Sequence, residues 1–150
     1  ATSSAASDVY KRQTSESTLI HSDLRADNLL FNTAGDGVML VDWQGCSFGP
    51  SSFDITYHMI QSLSVDDRRK HESELLDYYV NSLEFFGHQI TIDEVHKLYR
   101  SSILYSLSIA CAVPLINDVE GPRVKELAFS MASRTLAALE DHDIGFGQRG

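Results

Sequence analysis

The sequence predicts a mainly helical α+β domain in which a β-hairpin is followed by about four helices. Two apolar, β-prone runs at residues 29–32 and 38–43 lie on either side of a short glycine-containing segment, a pattern typical of a hairpin. From about residue 51 onward, apolar residues recur at helical spacing between recognisable capping signals. With 150 residues, of which 43% are hydrophobic, the chain has the size and composition of one globular domain.

The segment that joins the two β-prone runs, residues 33–37, contains both Gly35 and Gly37. Glycine tolerates the positive φ angles that tight turns require, so the two runs should pair as antiparallel strands. After the following Gly-Pro pair, Ser51 or Ser52 is expected to cap a first helix that ends near residue 64.

Three further helices are predicted from their ends. Ser64, followed by two aspartates, should start a helix that stops at Gly87. Thr91 and Glu94 form a capping box that opens the next helix, which Pro114 is expected to end. The last helix is predicted from a proline in its first turn and from one apolar stripe, carried by Pro122, Val124, Leu127, Ala128, Met131, Thr135, Ala138 and Leu139.

The charge balance disfavours two classes of partner. The chain has 12 Lys and Arg against 21 Asp and Glu, a formal net charge of −9 at pH 7, which repels phosphate backbones and anionic lipids. Neither nucleic acid nor a membrane is therefore expected as a partner. The basic run 68–70 lies between acidic residues and is predicted to be a solvated helix face. Cys46 and Cys111 have no disulfide or metal-site spacing, which favours a reducing, cytoplasmic location.

Side chains suited to chemistry are concentrated between residues 21 and 44. His21, Asp23 and Asn28 form the pattern H-x-D-x-x-x-x-N, and Asp42 follows on the far side of the hairpin. Phosphoryl transfer requires a carboxylate that accepts the proton of an attacking hydroxyl, and oxygen ligands for Mg²⁺. Asp23 suits the first role, and the hairpin should bring Asp42 beside Asn28 to form an oxygen-rich magnesium site.

The same region carries a family resemblance in several ordered motifs. They are Leu19-Ile20-His21-Ser22-Asp23, Leu29-Leu30-Phe31, Asp42-Trp43-Gln44, Gly49-Pro50 and Phe53-Asp54. These residues resemble the aminoglycoside phosphotransferase and choline kinase-like small-molecule kinases, and they are also similar to ecdysteroid kinase-like proteins. The resemblance covers residues 18–60 and implies a protein-kinase-like C-terminal lobe.

The resemblance also implies a role for each matching polar residue of the site. Asp23 would be the catalytic base, and Arg25 would contact the transferring phosphate. Asn28 and Asp42 would bind Mg²⁺ and, through it, ATP as co-substrate. The partner would be a small molecule with a hydroxyl acceptor, although the pattern does not select among such acceptors.

Two more residues would support this loop, and a third departs from the family pattern. The resemblance implies that Asp54, at the start of the first helix, steadies the loop by hydrogen bonds and that His21 packs beneath it. Ser22 stands where the family usually has glycine, so a backbone conformation that is easy for glycine is expected to be strained here.

The chain is expected to divide into three parts. Residues 1–13 are interpreted as an adapter-like or disordered tail, because residues 8–13 resemble a translated sequencing adapter. Residues 14–143 would form the kinase-like lobe, and residues 144–150 a flexible tail. The literal G-x-G-x-x-G in that tail follows no predicted strand and is not expected to bind phosphate.

Activity is expected to need more than these residues. In kinases, a Gly-rich loop and a strand lysine paired with a helix glutamate come from an N-terminal lobe, and only about 17 residues precede the catalytic strand here. The chain is therefore expected to be a truncated gene fragment that is inactive alone. Two alternatives remain open: a non-catalytic phosphotransferase-like binding domain, and a carboxylate–metal hydrolase that uses His21, Asp23 and Asp42 directly.

Overall fold

The computed structural model describes residues 17–116 and 122–145, with the backbone alone described at residues 113–116. The predicted N-terminal tail, residues 1–13, lies outside these ranges, and so do residues 146–150 of the predicted tail 144–150. Four short strands precede four long helices, which confirms the predicted α+β class. The elements are β1 (Ser17–Ile20), β2 (Leu29–Phe31), β3 (Val38–Leu40), β4 (Ser47–Pro50), α1 (Ser52–Ser62), α2 (Val65–Phe85), α3 (Ile92–Ile116) and α4 (Pro122–Asp141).

The strands form two separate antiparallel pairs. β2 pairs with β3 in the predicted hairpin, with Leu29 opposite Leu40. β1 pairs with β4, with Ile20 opposite Ser47, and this second sheet was not predicted. The predicted strand 38–43 is shorter than expected, because a 3₁₀ turn follows at Trp43–Gly45.

The capping signals set the starts of α2 and α3 as predicted. The Ser64 hydroxyl accepts a hydrogen bond from the Asp67 amide at 3.0 Å. At α3, the Thr91 amide donates to the Glu94 carboxylate at 2.9 Å and the Glu94 amide donates to the Thr91 hydroxyl at 3.2 Å, which completes the capping box. α2 ends just before Gly87, whose φ of +84° suits glycine.

Two helix-end predictions were wrong. Ser51 has helical backbone angles and makes no capping hydrogen bond, while the Ser52 hydroxyl lies within α1 and contacts the Ser102 hydroxyl at 3.2 Å. α3 continues to Ile116, beyond Pro114. A proline removes one backbone N–H, and only two residues of the helix follow it, so the loss is confined to the last turn.

α1 lies at the centre of the packing. Its residues Met59 and Ile60 are buried in a core shared with α2, α3 and α4. Ile144 also packs against this core, although the predicted flexible tail includes this residue. A smaller cluster joins β1 to α1 through Ile20, Phe53 and Tyr57. None of the helices within the described ranges is long and apolar enough to cross a membrane.

The basic run forms a solvated face only in part, because Arg69 and Lys70 are exposed but Arg68 is only 2% exposed. Its guanidinium contacts Glu72 on the same helix and Asp141 at the end of α4. Glu72 also accepts a hydrogen bond from the Tyr99 hydroxyl at 2.7 Å and lies 2.8 Å from the His142 ring nitrogen. Burial raises the pKa of Glu72, but the bonds from His142, Tyr99 and Arg68 outweigh it and lower the pKa to about 2.

Candidate active site

The loop that carries the H-x-D pattern begins where β1 ends, and its first residues form hydrogen bonds with α1. The backbone amides of His21 and Ser22 donate hydrogen bonds to the two carboxylate oxygens of Asp54, at 2.6 and 3.0 Å. Asp54 lies in the first turn of α1. The structure therefore places Asp54 where the sequence interpretation expects it, at the base of the loop.

His21 is buried beneath the loop, with 2% of its surface exposed. Its Nε2 lies 2.9 Å from the Val41 carbonyl oxygen. Because a carbonyl oxygen only accepts hydrogen bonds, Nε2 carries the ring hydrogen and is the donor. The ring also packs against the Trp43 indole, with 4.7 Å between the centroids. His21 thus joins the start of the loop to the segment that contains Asp42.

Two residues of the site have left-handed backbone angles. Ser22 has a φ of +71° and Asp42 a φ of +65°. Aspartate visits this region more readily than most residues, whereas serine is strained there. The expectation that Ser22 occupies a glycine-type conformation is thereby confirmed. Its hydroxyl contacts the Ser47 hydroxyl on β4 at 2.9 Å.

Asp23 is held by side chains from its own loop. Its Oδ1 lies 3.1 Å from Nε of Arg25. The Asn28 side-chain amide donates to the Asp23 backbone carbonyl at 2.8 Å and to its Oδ2 at 3.1 Å. Both carboxylate oxygens therefore contact side chains of the loop, while 38% of the Asp23 side chain stays exposed to solvent.

Asp42 is brought beside Asn28 by the hairpin. The Val41 amide donates to the Asn28 backbone carbonyl at 3.0 Å, which extends the β2–β3 pairing by one bond. Asp42, the next residue, is exposed and precedes the 3₁₀ turn. The structure therefore places Asp23, Arg25 and Asn28 in contact with one another and brings the backbone at Asp42 next to Asn28.

The donor set suits a hard cation. Asn28 and Asp42 offer amide and carboxylate oxygens, the ligands that Mg²⁺ prefers when phosphates and water complete its shell. No group of three or more His, Cys, Asp or Glu side chains within residues 17–112 and 122–145 could hold a metal ion. That finding gives no support to the hydrolase alternative, which needs a further His or carboxylate beside His21, Asp23 and Asp42.

Sequence reasoning missed the face of α1 that contacts the loop. Tyr57 is 1% exposed, and burial, followed by the nearby charge of Asp23, raises the pKa of its phenol. The Ser62 hydroxyl accepts a hydrogen bond from the Ala26 amide at 2.9 Å and contacts Nδ1 of His58 at 3.2 Å. Burial lowers the pKa of His58, against a hydrogen bond between its ring and the Leu24 backbone that raises it.

A spacing signal for this face was present in the sequence. Asp54, Tyr57, His58 and Ser62 are separated by three, four and eight residues from the first, so they share one side of a helix. In the sequence alone, Tyr57 has the apolar spacing of a core residue, and no second histidine stands at metal-ligand spacing from His58.

A loop of this geometry, followed by a hairpin and a helical bundle, defines the C-terminal lobe of a kinase-like protein. The chain belongs to the ecdysteroid kinase-like family, whose model matches residues 2–90. It is 33% identical over 86 residues to an uncharacterised kinase-like protein of Caenorhabditis elegans, an alignment that covers 55% of this chain. The chain spans 23% of the length of that relative. No solved structure matches the chain.

Proposed function

We propose that these residues form the catalytic-loop lobe of a phosphotransferase that moves the γ-phosphate of ATP to a hydroxyl group of a small molecule. The observation that carries the proposal is the solvent-facing Asp23 carboxylate, fixed from behind by Arg25 and Asn28. The membership of the ecdysteroid kinase-like family supports the same class of reaction.

In this proposal Asp23 is the general base. As the acceptor oxygen attacks the γ-phosphorus and the bond to the bridging oxygen of ADP breaks, the Asp23 carboxylate accepts the hydroxyl proton. A positioned carboxylate of this kind contributes about 10²–10⁴-fold to the rate. The exposed fraction of the Asp23 side chain, 38%, leaves room for an acceptor hydroxyl to reach it.

Arg25 would act on the transferring phosphoryl group. Its guanidinium is anchored to Asp23 through Nε, and a second nitrogen lies 3.7 Å from Asp27. A guanidinium presents five N–H donors in a fixed plane, so donors remain for phosphate oxygens after the pairing with Asp23. Arg25 would thus hold the negatively charged phosphoryl group close to Asp23, the proposed base.

Asn28 and Asp42 would hold Mg²⁺. The side-chain nitrogen of Asn28 is already bound to Asp23, so its Oδ1 is the atom available to a cation. A bound Mg²⁺ would supply positive charge that offsets the charge developing on the phosphate oxygens. His21 and Asp54 would support the loop without touching the substrates.

ATP binding in this proposal requires a nucleotide-binding lobe packed on the hairpin, so residues 1–150 alone would be inactive. Apolar side chains on the hairpin are more than half exposed, which supports a docking partner on this face. They are Leu30, Phe31, Val38 and Met39, at 53%, 69%, 55% and 64%. The location of the protein in the cytoplasm stays a prediction.

The proposal is tested by ADP release from Mg-ATP in the complete protein that contains these residues. The acceptor panel is an aminoglycoside, choline and an ecdysteroid, one for each kinase group that the sequence resembles. Asp23→Asn should lower turnover by about 10²–10⁴-fold and leave the KM for ATP nearly unchanged. Asp66→Asn, at a side chain that is 97% exposed on α2, is the matched control. Equal turnover in Asp23→Asn and wild type would refute the assignment of the base.

A magnesium titration tests the metal ligands separately. Asp42→Ala removes a carboxylate oxygen, so the Mg²⁺ concentration needed for half-maximal activity should rise as turnover falls. The Asp66→Asn variant should follow the wild-type titration. If the curves of wild type and Asp42→Ala superimpose, Asp42 is not a ligand.

A further inference from the structure

One helix, α1, holds the polar loop at two places. In its first turn, Asp54 accepts hydrogen bonds from the amides of His21 and Ser22, at the start of the loop. At its other end, Ser62 is the last residue of α1, and its hydroxyl accepts a hydrogen bond from the Ala26 amide at 2.9 Å. The helix rises by about 12 Å between the two attachments. The loop residues between them, which include the proposed base, are therefore fixed from both sides.

The amide that Ser62 binds belongs to the first residue of a 3₁₀ turn, Ala26–Asn28. The first N–H groups of a helical turn have no partner within the turn itself. Arg25 occupies the capping position but makes no side-chain hydrogen bond to this turn. The Ser62 hydroxyl therefore caps the turn from another element, 36 positions away in the sequence.

This turn fixes Asn28, one of the two proposed Mg²⁺ ligands. The Asn28 amide donates to the Arg25 carbonyl at 2.9 Å, which closes the turn. The Asn28 residue is 7% exposed, and its side-chain nitrogen donates to Asp23, which leaves Oδ1 for a cation. The direction of Oδ1 therefore depends on the backbone of the turn, and through that backbone on Ser62.

A histidine on the same helix sets the direction of the Ser62 hydroxyl. Nδ1 of His58 lies 3.2 Å from Oγ of Ser62. Burial lowers the pKa of His58, which favours the neutral ring at physiological pH. Because the Ala26 amide can only donate, Oγ of Ser62 is the acceptor there, and its own hydrogen is left for Nδ1 of the neutral ring. The Ser62 hydroxyl is thus used both as an acceptor and as a donor.

We propose that Ser62 is a positioning residue that orients Asn28, the proposed Mg²⁺ ligand, through the 3₁₀ turn of the loop. This inference rests on the proposed function, because it assigns Ser62 a part in the same metal site. Ser62 touches neither the substrates nor the cation. Loss of its hydroxyl leaves the Ala26 amide to water and lets the turn shift, so Oδ1 of Asn28 moves away from the cation. Replacing a residue that holds a metal ligand in place lowers metal affinity or activity by about 10- to 100-fold.

The first test is a Mg²⁺ titration of ADP release from ATP, with water as the acceptor, in the complete protein that contains these residues. For Ser62→Ala we expect the Mg²⁺ concentration at half-maximal activity to rise by about 10-fold. Ser62→Thr keeps the hydroxyl and should restore the wild-type titration.

Ser82→Ala is the matched control for this titration. Ser82 is also a half-buried helix serine, and its hydroxyl donates to the Tyr78 carbonyl of α2 at 2.8 Å. Its replacement removes the same group away from the loop and should leave the titration unchanged. A Ser62→Ala curve that superimposes on the Ser82→Ala curve would overturn the positioning role.

Hydrogen exchange followed by mass spectrometry gives a second readout, which needs neither activity nor a bound metal. In the complete protein, peptides that cover residues 24–28 report on the Ala26 amide. This amide should exchange about 3- to 10-fold faster in Ser62→Ala than in wild type, because it loses one hydrogen bond. Equal exchange in the two proteins would show that Ser62 does not hold the turn, and would overturn the inference.

A double-mutant cycle tests the path through Asn28. In an Asn28→Ala background, Ser62→Ala should cause no further rise in the Mg²⁺ requirement. A rise of the same size in both backgrounds would overturn the positioning role and leave the proposed function intact. An Asn28→Ala enzyme with the wild-type titration would instead overturn the proposed Mg²⁺ ligand, and the positioning role with it.

Discussion

The carboxylate of Asp54 accepts a hydrogen bond from the backbone amide of His21 at 2.6 Å, although the two residues are 33 positions apart in the sequence. A second bond, from the Ser22 amide at 3.0 Å, uses the other oxygen. The two bonds satisfy donors that no strand or helix serves, at the point where the chain leaves β1 and turns into the loop. The geometry of the loop therefore depends on a residue of α1.

Asp54→Ala should destabilise the protein by about 2–4 kcal/mol, because two buried or half-buried amides lose a charged acceptor. Urea unfolding followed by circular dichroism measures the change. Asp66→Ala is the control, since the Asp66 side chain is 97% exposed and should change the free energy of unfolding by less than about 0.5 kcal/mol. Equal midpoints for the two variants would show that Asp54 does not hold the loop.

Local signals explain why much of the fold could be predicted. The capping residues Ser64 and Thr91 act on amides three positions away, so their effect can be predicted from a short window of sequence. The pairing of β1 with β4 joins segments that are about 30 residues apart. In addition, β4 contains a glycine and a proline, which are uncommon in strands and typical of loops. Nothing local to residues 47–50 indicates that pairing.

The polar residues of the site were found because they fall within one motif, while their supporting contacts were missed because they come from elsewhere in the chain. Tyr57 has the apolar spacing of a core residue, and only the three-dimensional structure shows that burial and then the nearby charge of Asp23 raise the pKa of its phenol. Arg68 was misjudged for a similar reason. A run of charges predicts a solvated face, but its partner Asp141 is 73 residues away, and ion pairing allows an arginine to be buried.

Ser22 tests the cost of a left-handed backbone, since its φ is +71°. Ser22→Gly and Ser22→Ala both lose the hydroxyl contact with Ser47, but only glycine relieves the strain. We expect the glycine variant to be more stable than the alanine variant by about 1 kcal/mol in urea unfolding.

The same pair of substitutions at Ser47 provides the control. Ser47 is the other partner of the hydroxyl contact and lies in β4, where glycine should be less stable than alanine by about 0.5–1 kcal/mol. The order of the two variants should thus reverse between the two positions. If alanine is the more stable residue at both, the backbone at Ser22 carries no strain.

The lowered pKa of Glu72 predicts how the free energy of unfolding depends on pH. Its pKa is lowered to about 2 in the folded protein from its ordinary value of 4.5. A group with a depressed folded pKa binds fewer protons when folded, so its contribution is complete above about pH 4.5 and is lost as the pH falls toward 2. Urea midpoints measured from pH 7 to pH 2 should therefore drop more steeply in this window for wild type than for Glu72→Gln.

Glu74→Gln is the matched control for that measurement, since Glu74 lies on the same helix with 81% of its side chain exposed. Its midpoints should follow the wild-type curve at every pH. Parallel curves for wild type and Glu72→Gln would mean that the contacts of Glu72 with Arg68, Tyr99 and His142 do not stabilise its charged form.

The exposed hairpin predicts that the 150-residue chain associates with itself. Phe31 on β2 is 69% exposed opposite Val38 on β3, and the next pair, Leu30 and Met39, lies on the other face of the hairpin; all four are more than half exposed. Exposed apolar surface of this kind promotes association in water. Sedimentation velocity at rising protein concentration should show dimers or larger species. Phe31→Ser should shift the distribution toward monomer, because it removes the most exposed side chain of the hairpin patch.

Phe85→Ser separates this patch from exposed aromatic surface in general. Phe85 is 84% exposed at the end of α2, and its replacement should leave the association unchanged. The proposed need for a nucleotide-binding lobe is tested on the same sample by calorimetry with Mg-ATP. A chain that is monomeric at all concentrations and binds Mg-ATP at micromolar concentration would contradict both expectations, because the hairpin would then need no partner to complete a nucleotide site.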